Sequence, residues 1–231
     1  MISKPVQALI GVCLFLTASL AWALVIPSGG SLEIPPGGNI NLGCTNLDLQ
    51  GSLSVNSGQL SQATNVGIVA PGVLDGGTGA ISVGGNWNNS GTFIPGTSTV
   101  TFVDGCTAAP AQLTGDTTFF NLTLISANGR TFTFPTGSHI TVTGTLTLQG
   151  APGFPIQLTS SSGQTAFIAL GPNAHVVSSN ANVPANVQIG TVVTSIPTLS
   201  QYGLIILALL LASMAAQRIK SSPLARRNAP M

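Results

Sequence analysis

From Leu24 to Ser195 the chain alternates apolar or β-branched residues with Thr, Ser and Asn at a period of two. Val100-Thr101-Phe102, Leu122-Thr123-Leu124, Thr131-Phe132-Thr133-Phe134, Ile140-Thr141-Val142 and Leu146-Thr147-Leu148 are clear cases. Alternation at that period puts the two sets of side chains on opposite faces of a strand. Gly, Asn and Pro interrupt the runs every few residues and mark turns. The pattern predicts an all-β chain of short strands with the apolar set on one inner face.

A longer period lies over the short one. Gly30-Ser31-Leu32-Glu33-Ile34 recurs as Gly51-Ser52-Leu53-Ser54-Val55, and Gly72-Val73-Leu74 follows at the same spacing. Gly79-Ala80-Ile81-Ser82-Val83 reads as a later copy that has drifted from it. A period of about 21 residues suits one coil of a right-handed parallel β-helix, a solenoid whose coils stack at ~4.8 Å and bury a continuous aliphatic ladder. Roughly eight coils fit into residues 24–195. A β-sandwich of short strands is the alternative.

The two ends break the pattern. Lys4 precedes an uncharged apolar run from Ala8 to Trp22, and Ala21-Trp22-Ala23 has the small-x-small form of a signal-peptide cleavage site. Residues 1–23 are therefore expected to be removed after Ala23, with a permanent anchor as the alternative. Val12 stands before Cys13, where a lipidation signal needs a small residue. At the other end, Ile196–Ala216 is an uncharged stretch, about 30 Å as a helix and long enough for a hydrocarbon core. Arg218, Lys220, Arg226 and Arg227 follow it and are expected to stay in the cytoplasm as a stop-transfer cluster. The expected organisation is a signal peptide at 1–23, an extracytoplasmic solenoid at 24–195, a motif and transmembrane helix at 196–217, and a basic tail at 218–231.

Charge narrows the function classes. Charged residues are 5% of the 231-residue chain, against ~25% in ordinary soluble domains. Six Lys and Arg, four of them in the tail, cannot build a phosphate-neutralising face, so a nucleic-acid partner is excluded. Charge-rich disorder is excluded by the same count, and the 28 Gly and 15 Pro argue against a helical bundle. Arg130 is the lone cation between Leu24 and Ser195, and no charged residue occurs from Thr131 to Gln217. Stacked coils can stay solvated with Thr, Ser and Asn faces instead.

The segment Ile196-Pro197-Thr198-Leu199-Ser200-Gln201-Tyr202-Gly203, the apolar run after it and the basic tail together resemble the IPTL-CTERM sorting signal. Ile196, Pro197, Thr198, Leu199 and Gly203 carry the likeness. Gln201 and Tyr202 stand where Glu and Trp are commoner, and Tyr keeps the interfacial aromatic role. The resemblance implies an exosortase-type membrane transpeptidase as partner, a stay in the inner membrane, cleavage near the motif and transfer to the surface. Pro197 keeps Ile196 extended and Gly203 adds a flexible point, which suits a segment that a processing enzyme must grip. Gly85-Asn86-Trp87-Asn88-Asn89-Ser90-Gly91-Thr92-Phe93 and Gly96–Phe102 resemble the strand repeats of large bacterial surface proteins and autotransporter-like adhesins. That likeness implies a surface solenoid with a glycan or surface partner, and no activity.

Candidate chemistry is sparse. Cys44 and Cys106 are the cysteines left after signal removal, and an even pair in an exported chain suggests a disulfide. Their separation along the chain is close to three coils, about 14 Å of stacking, whereas bridged Cα atoms lie within about 7 Å. A bond therefore requires Cys106 on an excursion, for which Asp104-Gly105 is a possible start. Two buried free thiols are the alternative. Glu33, Asp48, Asp75, Asp104 and Asp116 are scattered, and stacking of the aspartates is not expected. His139 and His175 have no partner legible in the sequence. No G-x-S-x-G elbow or zinc spacing is present, so no catalysis, metal or cofactor is expected. A carbohydrate-active β-helix enzyme and a permanently anchored type I membrane protein are the rival readings. Thr-x-Thr units begin at Thr99, Thr131, Thr141 and Thr145, and these intervals do not match a coil, so a regular threonine array is not expected.

Overall fold

The computed structural model describes residues 23–107, 109–161, 163–191 and 205–214. Residues 23–191 belong to one compact unit and residues 205–214 to another.

The first unit is a parallel β-solenoid. Every ladder between its named strands is parallel, which excludes the antiparallel sandwich. Each coil contributes strands to three faces. The first face runs through Ala23–Ile26, the later halves of Asn39–Leu49 and Gln59–Ile68, then Trp87–Asn89, Ala111–Thr114, Thr131–Phe134, Ile156–Ser160 and Ala181–Asn182. The second begins with Ser31–Glu33, Ser52–Ser54, Val73–Asp75 and Thr92–Ile94. It resumes with Thr117–Phe119, Ile140–Val142, Ala166–Leu170 and Val187–Thr191. The third takes the early halves of the two long strands, then Ala80–Val83, Thr99–Phe102, Asn121–Ser126, Thr145–Gly150 and His175–Ser179. Eight strands on the first face give about eight coils.

The two long strands turn the corner between the third and first faces. Their ladders shift register between Asn41 and Leu47 and between Leu60 and Ala63. Gly43, Cys44 and Gln62 at these bulges adopt φ of 56°, 63° and 56°. A bulge of this kind bends a strand without ending its pairing.

Inward positions stack into ladders. Ile40, Leu60, Ile81, Val100, Leu122, Leu146 and Val176 face one another in successive coils. The middle five are buried, each side chain worth about 1.5–3 kcal/mol. Val176, in the last described coil of that face, is 40% exposed, and among the described residues no further strand covers it. Leu32, Leu53, Leu74 and Phe93 form the matching column on the second face.

The glycine-led repeat has a steric cause. Ser52 N donates to Gly30 O at 2.9 Å, and Val73 N donates to Gly51 O at 2.8 Å. A Cβ on Gly51 would strike the carbonyls of Gly30 and Pro27, and one on Gly72 the carbonyl of Leu49. Gly79 is not a drifted copy of this series. It belongs to a second column at the turn into the third face, with Gly38 and Gly58 before it and Ser98 after it. Each coil has two turns of like chemistry, and the repeat reading merged them.

Later coils lengthen. Thr117 pairs with Ile140 and Ile140 with Ile168, each step longer than the one from Leu32 to Leu53. The second face breaks into two four-stranded sheets between Thr92–Ile94 and Thr117–Phe119. Buried Trp87, Phe93 and Phe119 fill this break, with ring centroids 5.0–5.6 Å apart. Trp87 Nε1 donates to Thr117 Oγ1 at 3.2 Å, so the indole is satisfied inside the core.

Ala23, placed at the expected cleavage site, opens the first strand opposite Asn46. Ala21 lies outside the described residues, as do Ile196, Pro197, Thr198, Leu199, Gly203, Arg218, Lys220, Arg226 and Arg227. In the second unit, residues 205–214 form an exposed apolar helix. A helix of that length spans about 15 Å. Among the described residues no helix is long and apolar enough to cross a membrane.

Candidate functional site

The third and first faces of neighbouring coils are joined by a few residues, except after Phe102. There the chain leaves the stack and returns at Ala111. This flap starts at Asp104-Gly105, and Gly105 takes a φ of 148° that favours glycine. It folds back along the corner. Cys106 packs on Gly84, where an added Cβ would sit 2.6 Å from Cys106 Cβ, and its Sγ lies 3.6 Å from Gln62 O. Beyond Gln62 it reaches Cys44. The two cysteines are bonded, with Cα atoms 5.0 Å apart. The fold-back covers the three-coil gap that flat stacking would leave.

Two charged side chains tie the flap to the rest of the coil. Arg130, 5% exposed, donates from Nε to Ala109 O at 2.8 Å and from Nη1 to Val103 O at 3.1 Å, so it grips both ends of the excursion. Phe132 lies 5.4 Å from its guanidinium carbon. Burial pushes the Arg130 pKa below its ordinary value, and nearby Asp104 opposes that shift. Asp104 Oδ2 accepts from Ser126 Oγ at 3.0 Å, Ala127 N at 2.8 Å and Asn128 Nδ2 at 3.2 Å. A cavity of about 280 Å³ lies between the flap and residues 128–131, with Asp104, Thr107, Asn128, Arg130 and Thr131 in its wall. The body of the solenoid thus gathers its disulfide, its one cation and one of its five acids at a single corner. The sequence signal for Arg130 was its isolation, which charge counting registered and strand patterning did not.

One expectation is corrected by the register. His139 has a partner: its Nδ1 is 2.8 Å from Asp116 Oδ1, and its backbone N donates to the same oxygen at 3.0 Å. The pair is exposed, and the His139 side-chain hydrogen bond, then its backbone one, holds the Asp116 carboxyl below its ordinary range. The coil here is longer than the early ones, so a ruler cut to their period missed the pair. The Thr-x-Thr units lie on three different faces and do not stack as an array, but one column of outward threonines does align. Thr101, Thr123 and Thr147 sit opposite one another in successive coils, and Thr99 pairs with Asn121. The intervals between Thr-x-Thr units hid this, because the middle coil reads Asn121-Leu122-Thr123. Among the described residues no group of three or more His, Cys, Asp or Glu could hold a metal ion.

The IPTL-CTERM motif model matches residues 194–220. This stretch contains Ile196, Pro197, Thr198, Leu199 and Gly203, and it is a C-terminal sorting signal of the type found on exported, exosortase-processed proteins. The match covers the tail and leaves the solenoid outside it. No curated protein and no solved structure matches the chain.

Proposed function

We propose that this chain is a non-enzymatic structural or adhesive protein of a bacterial envelope or extracellular matrix. The sorting signal at 194–220 carries the reading. In this account a secretory signal is cut after Ala23, and the apolar stretch 196–217 holds the protein in the inner membrane, with Arg218, Lys220, Arg226 and Arg227 in the cytoplasm. An exosortase then cleaves near Ile196-Pro197-Thr198-Leu199 and passes the solenoid to a surface acceptor. The solenoid works by display. Its third face presents Asn41, Ser61, Ser82, Thr101, Thr123 and Thr147 outward along successive coils, an uncharged polar surface suited to a glycan or another surface partner.

Mass spectrometry of the surface-exposed protein tests the reading. It should begin at Leu24, end close to Ile196, and lack every peptide containing Arg226. Surface protein that keeps the Arg226 peptide, or that reaches the surface unchanged when residues 194–220 are deleted, would overturn it.

A further inference from the structure

We infer that the two ends of the solenoid fit one another, and that copies of this chain stack head to tail into a rod. The inference rests on the proposed cuts after Ala23 and near Ile196, which leave both ends bare.

The first support is the continuity of the ladders. Among the described residues each face ends on an unpaired strand edge. Ala23–Ile26, Ser31–Glu33 and the start of Asn39–Leu49 form one end, and His175–Ser179, Ala181–Asn182 and Val187–Thr191 form the other. Both ends show the three faces in the same cyclic order, and the ladders between them are all parallel. The last coil of one copy can therefore continue into the first coil of the next. Extending the columns of the third face sets Val176 over Ile40 of the next copy, His175 over its Asn39 and Val177 over its Asn41.

The second support is the lack of guards on these edges. An open edge invites another strand, and native proteins blunt it with Lys, Pro or a polar capping repeat. None of the six strands contains Lys, Arg or Pro. Val176 and Val183 are exposed at one end, and Leu24, Leu32 and Ile40 are only partly buried at the other. These are inward columns cut short, with apolar side chains at each cut.

The third support concerns what can cover them. In the processed form residues 192–195 follow the last strand, about 14 Å of extended chain at most, too little to roof three faces. At the other end Leu24 already lies in the first strand. A second copy supplies three strands in the right order. Glu33 and His175 lie on different faces, and the Glu33 carboxylate already accepts from Asn56 Nδ2 at 2.9 Å, so stacking opposes no like charges. A contact between unlike ends does not close on itself, so it repeats into an open rod.

The test uses the surface-exposed protein, with its termini read by mass spectrometry on the same sample. Sedimentation should show association that grows with concentration, and electron microscopy should show rods of one solenoid's width. Two double variants fix the register at exposed positions. Val177→Lys with Asn41→Lys sets like charges across the junction, and Val177→Lys with Asn41→Glu sets opposite ones. The first pair should associate at least about fivefold more weakly than the second. Both change the same two sites, so an effect on folding alone would not separate them. Cut termini with a monomer at every concentration would overturn the inference and leave the sorting reading standing. Association indifferent to the charge pairing, or ends occupied by a different protein, would also overturn it. Uncut termini would sink the sorting reading, and the same comparison on that chain in detergent would then decide this one: association that follows the charge pairing upholds it, and a monomer overturns it.

Discussion

Cys44 and Cys106 are 62 positions apart in the chain, yet their Cα atoms are 5.0 Å apart across the edge of the solenoid. The bond ties an early corner to a flap that leaves the stack three coils later. It closes a long loop in the unfolded chain, for which the chain-entropy account gives about 4 kcal/mol. Cys106→Ser should lower the urea midpoint accordingly, and reductant should lower that of the parent to the same value. Equal midpoints with and without reductant would show that the bond adds nothing to stability.

Thr117 Oγ1 accepts from both Trp87 Nε1 and Asn89 Nδ2, at 3.2 and 3.1 Å. Asn89 keeps a second bond to Asp116 O, whereas the indole donates to Thr117 alone. Thr117→Val preserves shape and orphans the indole, at a cost of about 1–3 kcal/mol. In the proposed mature form Trp87 is the single tryptophan, so its fluorescence during urea unfolding reads the loss directly.

Gly72 is squeezed against the backbone of the coil before it, where an added Cβ meets the Leu49 carbonyl. Backbone cannot step aside as a flexible side chain can. Gly72→Ala should cost at least about 1–3 kcal/mol, by the usual penalty of overpacking. Gly190→Ala is the control, because a Cβ there meets nothing within 4 Å. Thermal melts of the two variants should separate, and equal melting points would refute the steric account of the repeat.

The Asp116 carboxyl is held below its ordinary value of 3.8, chiefly by the His139 side chain. A carboxyl depressed in the folded state adds stability above its unfolded pKa, and that stability is lost as pH falls through the lower, folded value. The Asp116 carboxylate should therefore keep this contribution at neutral pH and lose it in acid below 3.8. Carbon-detected NMR titration should place the Asp116 midpoint below 3.8, and His139→Ala should move it upward. A midpoint indifferent to that substitution would break the link.

Much of the architecture was legible because its cause is local. Leu32, Leu53 and Leu74 repeat at the spacing of one coil, each behind a glycine that the neighbouring backbone demands. What escaped needs register across coils of unequal length. Asp116 finds His139, and Thr101, Thr123 and Thr147 align, across steps that exceed the early repeat and differ from one another, so a fixed ruler passes them over. The cavity was less legible still. Nothing in the spacing of Asp104 and Arg130 says that a flap folds backward over them. That arrangement follows from where Gly105 turns and where Cys44 waits. The sorting residues were readable because a processing enzyme recognises linear sequence, with no tertiary placement required.

The flap departs after Phe102, which still pairs with Val83, and rejoins at Ala111, which still pairs with Phe132. Ladder registry on either side is untouched by the intervening stretch. That seam is therefore a socket. Peptide grafted there would ride on a stiff rod without disturbing its girders, whereas one residue slipped into a neighbouring strand would turn that strand inside out. Novelty in proteins of this build has a natural place to accumulate along the seam.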